Sequence, residues 1–192
     1  MEFIKSRYNK GDLLKLFLVC AFPIHAWAIF MVLRDVSWVA ERTNSWDAVG
    51  LTSYALLMAL VESIIITVVV VLPLSFLVPK SWSAEKRIAI MSILVLTTSV
   101  WAMIAQALFL VDDIVPKSLL RFLAQTPRAF WIIYGSIGTF VIASNALPVY
   151  LLIRYEKFVN VINSIIDRLI LLSTLYIFLD FVGIVIVIIR NI

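Results

Sequence analysis

One cysteine and one histidine are all the chain has of the two most versatile metal-binding side chains. Cys20 has no second thiol with which to close an internal disulfide, and His25 alone excludes paired internal histidine ligands for a haem. The H-E-x-x-H, P-loop, GxGxxG and G-x-S-x-G patterns are absent too, and with them the usual signatures of metalloproteases, nucleotide sites and α/β-hydrolases. The sequence therefore nominates no catalytic residue, no metal ligand and no cofactor. Charge is scarce as well: Asp, Glu, Lys and Arg make up 15% of the 192 residues. No basic stripe interleaves with exposed aromatics, which argues against a nucleic-acid partner.

What is abundant is apolar side chain. A hydrophobic content of 63% and a mean hydropathy of +1.06 lie far above the roughly 45 to 50% apolar content of soluble domains. The charges cluster between long apolar runs that do not alternate, which points to membrane helices rather than a transmembrane barrel. Runs of about 20 residues predict five spans, near 13–33, 49–72, 88–111, 130–153 and 169–189. The expected fold is an all-α polytopic helical bundle, a single membrane-embedded domain over 1–192. Pro23, Pro73 and Pro148 are expected to kink spans or end them early. Lys5, Arg7 and Lys10 ahead of an apolar stretch, with Ala26-Trp27-Ala28, imitate a signal peptide. The run continues through Ile29 to Leu33, however, and is read as a retained first span.

Lys and Arg fall ten against six on alternate sides of this topology, which places the N-terminus inside and the C-terminus outside a plasma or inner membrane. Trp38, Trp46, Trp82 and Trp131 fall at span ends and read as an aromatic belt. Two connectors have amphipathic periodicity. Before the last span, Tyr155, Phe158, Val159, Ile162, Ile165, Ile166 and Leu169 share a 3.6-residue stripe opposite Glu156, Lys157, Asn160, Asn163, Ser164 and Asp167. This segment either lies on the inner surface or extends the fifth span as a packing stalk. A short helix between Pro116 and Pro127 carries Lys117, Arg121 and Gln125 on one face. With Arg128, its cations are candidates for contact with lipid headgroups.

The strongest lead is polar chemistry at hydrocarbon depth. Glu62 sits in the middle of one apolar run and Asp180 in the middle of another, where an acid costs roughly 2.5 to 3.5 kcal/mol on insertion scales. Both are expected to face the bundle or a protein interface. Tyr54, Met58 and Glu62 align on the second span beside Ala55 and Ala59; Ser173, Tyr176, Asp180 and Gly183 align on the fifth. Thr98, Ala102 and Gln106 form a similar stripe on the third. Gly135, Thr139 and Ala143 do so on the fourth, with Gly138 and Asn145 alongside, and these faces are expected to meet inside. Glu62, Asp180, His25, Asn145 and Gln106 thus compose the candidate intramembrane polar cluster. His25 could bond a backbone carbonyl freed by Pro23, or reach a carboxylate of similar depth.

Three functions fit these features. The favoured one is a non-enzymatic subunit or scaffold of a membrane complex, associating with other membrane chains or with itself. The second is proton- or ion-coupled transport along Glu62, Asp180 and His25. The third is a lipid-modifying enzyme at the outer interface using Arg34, Asp35, Glu41, Asp112, Asp113, Lys117 and Arg121.

Overall fold

In the computed structural model, residues 7–110 and 117–192 are described, and they contain helices and no strand. The first helix, α1 (Lys10–Arg42), starts where Asn9 accepts from the Asp12 amide at 2.7 Å while Asp12 returns a bond to the Asn9 amide at 3.0 Å. This reciprocal box satisfies two of the orphan donors of the first turn. Only Thr43 and Asn44 separate α1 from α2 (Ser45–Ser75), with Asn44 capping the new helix through the Asp47 amide. So short a link makes the two antiparallel neighbours. The other elements are α3 (Ala84–Leu110), the short amphipathic α4 (Lys117–Gln125), α5 (Ala129–Arg154) and α6 (Glu156–Asn191).

Five of the helices, all but α4, are long and apolar enough to cross a membrane, as the hydropathy predicts. Their outward faces agree with that environment. Phe130 is 74% exposed, Trp131 80% and Leu171 73%, far more continuous apolar surface than a protein in water tolerates.

The helices run past the expected boundaries because helical backbone continues where hydropathy fades: α1 extends to Arg42. The amphipathic segment before the last span is the first turns of α6, a continuous helix of 36 residues and about 54 Å. Val159, Ile162 and Ile166 are buried in the core beside Leu16, Val19, Met91 and Leu152. Of the two readings of this segment, the packing stalk matches the observed helix. A lone extended residue, Tyr155, separates α5 from α6.

The prolines are absorbed rather than disruptive. Pro23 and Pro148 lie inside unbroken helices. Pro73 cannot donate to Val69, and the turns just before it, Ile66–Val71, widen into a π-helix in which the Leu72 amide donates to Thr67.

Helix α1 is the centre of the bundle. Helices α2, α3 and α6 all pack on it, α2 and α6 pack against each other, and α5 leans on α3 and α6 from outside. By contrast α2 and α3 approach each other closely only where the short stretch Leu72–Ser75 passes α3. They diverge above α1 and leave a furrow between them.

Candidate functional site

The polar residues of the spans divide into two groups rather than one. In the first, α1 presents His25 from a face that also carries the buried Leu18, Ala21 and Val32, and α6 presents Asp180 from the buried stripe of Ser173 and Gly183. The His25 Nε2 lies 3.0 Å from Asp180 Oδ2 and 3.2 Å from Oδ1, and the two side chains are 0% and 1% exposed. His25 Nδ1 lies 2.8 Å from the Ala21 carbonyl. That carbonyl is four residues back on the same helix, not the Val19 carbonyl that Pro23 leaves without its donor.

A carbonyl oxygen can only accept, so a hydrogen bond from Nδ1 to Ala21 places a hydrogen on Nδ1 and leaves Nε2 to face the carboxyl group. Tyr176 stacks on the imidazole at a centroid distance of 5.8 Å, and Phe22 stacks on Tyr176 at 6.3 Å. The contact is sealed by aromatic and small side chains.

Small hydroxylated residues make the seam narrow. Ser53, Ser63, Thr67 and Ser173 are buried, and each hydroxyl donates to the carbonyl four residues earlier in its own helix. Their polarity is met internally, which leaves small surfaces for close helix approach. At Gly183 an added Cβ would stand 3.4 Å from the Ser53 carbonyl, so α6 lies directly on the α2 backbone there.

The second group is Glu62 and Gln106. Both are exposed, and both line the furrow between α2 and α3, whose floor is Pro23, Ile24, Trp27 and Ala28 of α1. The upper part of the furrow has a volume of about 410 Å³, with Ala55, Met58 and Ala59 on one wall and Ser99, Ala102 and Met103 on the other. The Glu62 carboxyl has no hydrogen-bond or ion-pair partner among the described residues. Both acids are expected to face the bundle or a protein interface: Asp180 is buried in the bundle, whereas Glu62 faces the open furrow. The stripes of α2 and α3 face each other across this open furrow without meeting.

The remaining residues of the expected cluster stand apart. Asn145 is half-buried on α5, donating to the Val141 carbonyl at 2.9 Å, while its Oδ1 has no partner among the described residues. Gly135, Thr139 and Ala143 face outward, and an added Cβ at Gly135 or Gly138 would meet nothing within 4 Å. Helix α5 is joined to α3 through Trp101, whose indole donates to the Ser144 hydroxyl at 2.8 Å and whose ring meets Phe140 edge-on.

Of the candidate headgroup residues, Arg121 and Arg128 are exposed, and Arg128 adopts a left-handed backbone (φ 62°) at the start of α5. The Lys117 side chain, Asp112 and Asp113 lie outside the described residues. Arg34 and Asp35 pair with each other in a forked contact at 2.8 and 3.0 Å. Among the described residues no three His, Cys, Asp or Glu side chains gather in a way that could hold a metal ion.

Sequence reasoning treated Arg7 and Arg87 only as topological charges, and missed what they hold. Arg7 donates to the carbonyls of Ser75, Phe76 and Val78 at 3.0 to 3.3 Å, capping the C-terminal end of α2, where unpaired carbonyls and the helix dipole favour a cation. Arg87, buried beside Tyr8, donates to the carbonyls of Lys80, Trp82 and Arg7. At the other end of the bundle Arg190 pairs with Asp47 and donates to the Trp46 carbonyl, so the end of α6 is tied to the start of α2.

Comparison of the chain with protein-family models, with curated proteins and with solved structures yields no match.

Proposed function

We propose that the chain is a non-enzymatic subunit of a membrane complex, a pinned helical platform that offers the furrow between α2 and α3 to another transmembrane helix. The observation that carries this reading is Glu62, an exposed carboxyl without a partner, set among apolar and small side chains in the middle of a span. An acid left facing acyl chains is costly, and a second helix seated in the furrow removes that cost while covering Ala28, Ala55 and Ala102. The test is site-directed cross-linking in native membranes. Cys20 is buried, so a cysteine at Met58 carries the photoreactive group selectively. Cross-linking to another membrane polypeptide, lost when Ala102→Trp fills the furrow, is expected. A protein that stays strictly monomeric in mild detergent and in the membrane is incompatible with the proposal.

Proton- or ion-coupled transport is the second reading, and the contact between His25 and Asp180 is what favours it. Their protonatable atoms meet on a different face of α1 from the one that floors the furrow. Passage would therefore require the seam to open. Flux measured in liposomes with a pH-sensitive dye separates the two readings: unchanged flux in Asp180→Asn and Glu62→Gln variants of normal fold eliminates transport through these acids.

A further inference from the structure

The furrow has the length of a membrane helix. Its upper part, around Glu62, adjoins a lower apolar part of about 370 Å³ lined by Val70, Leu74, Met91 and Leu94, and the two share Ile66, Ser99 and Ala102. Together they follow α2 from Ala55 to Leu74, about 28 Å of helix and close to the roughly 30 Å of a hydrocarbon core. A small molecule needs no such length. A lipid headgroup would have to travel too deep, since Glu62 lies about 26 Å along the helix from Ser45 and about 20 Å from Ser75. Helix α4, with 9 residues and about 13 Å, is too short to fill the space.

The charge of the furrow further defines its occupant. Every Lys and Arg of this chain falls outside the middle of a span, and its one mid-span base, His25, is engaged with Asp180. A second copy of the chain therefore brings no free cation to Glu62. Resting on the subunit reading above, we infer that the occupant is a transmembrane helix of a different polypeptide carrying one lysine or arginine near its midpoint, which pairs with the Glu62 carboxylate beside Gln106. Opposite charges buried together cost far less than either alone, and small walls allow the incoming backbone to approach closely. The assembly is thus heteromeric, and Glu62 is its specificity-determining residue.

The experiment uses the full chain in lipid nanodiscs and three synthetic helices, each a 22-residue Leu/Ala span with Lys, Leu or Glu at its centre. Energy transfer from a label on Met58→Cys reports binding. The Lys peptide is expected to bind about tenfold more tightly than the Leu peptide, and Glu62→Gln is expected to abolish that preference while leaving the Leu peptide unchanged. If Lys and Leu peptides bind equally to both proteins and Ala102→Trp blocks both, the furrow takes a helix and the charge inference is wrong. If none of the peptides binds either protein, both the inference and the subunit reading fall. Two further outcomes overturn the inference: saturable Glu62-dependent binding of tetraphenylphosphonium with no Lys preference among the peptides, and self-association that excludes all three peptides.

Discussion

Two acids of similar depth meet opposite fates. Asp180 lies in a seam with no exposed surface, matched by one imidazole and covered by Tyr176; Glu62 lies in a furrow with its carboxyl unpaired. The seam is a finished contact, since each donor and acceptor around His25 has a counterpart within the chain. The furrow is an unfinished one. Mid-membrane polarity here takes two forms, an acid paired within the chain and an acid left open on a furrow, and only the second leaves a surface on which the partner proposed above can act.

The comparison is broken most severely at the seam. Asp180→Ala, which strands the imidazole in a dry site, is expected to lower unfolding free energy by about 3 to 5 kcal/mol, read as a large drop in thermal midpoint in detergent. Asp180→Asn, which still offers Nε2 a partner, is expected to cost less, and adding His25→Ala to Asp180→Ala is expected to cost less than the sum of the two singles. Next in size is Gly183→Leu. It forces α6 away from the Ser53 carbonyl and is expected to cost about 1 to 3 kcal/mol, with faster proteolysis of the α2–α6 side.

Smaller effects sharpen the contrast. Lys15→Ala breaks an ion pair with Asp167 in which both side chains are about half exposed, and is expected to change stability by less than about 1 kcal/mol, an effect that added salt should erase. Glu62→Leu is expected to leave the isolated chain unchanged or slightly more stable, because no internal contact is lost. A destabilisation as large as that of Asp180→Ala would show that Glu62 is bonded within the chain and would dissolve the distinction between the two regions.

Much of this was legible in the residues. The five spans follow from apolar runs, and helical spacing gathered Met58 with Glu62 and Ala102 with Gln106 on stripes that line the two walls of one furrow. Spacing assigns residues to a face but not the face to a neighbour, so it could not separate the environment of Glu62 from that of Asp180, nor foresee that Gly135, Thr139 and Ala143 point outward. The knot of Arg7 and Arg87 was invisible for another reason: its acceptors are backbone carbonyls, which leave no mark on the side-chain pattern. The pairing of Arg190 with Asp47 had a signal, since both lie on the same side of the expected topology, but that side offers other acids.

The widened turns of α2 bear on how the gene can tolerate change. Ala59, Ser63, Thr67, Val71 and Ser75 are all buried at intervals of four, whereas in a regular α-helix each such step drifts by about 40°. The slower winding of Ile66–Val71 offsets part of that drift and helps keep the row on the buried face. It does so within four consecutive valines, so loss of any one of their codons yields the same shortened protein. Relative to Glu62, the end of α2 would then turn by about 100°, and the carbonyls that Arg7 grips would point elsewhere. An otherwise featureless valine tract is the phase-setting element of the bundle, and its length matters more than the identity of any residue in it.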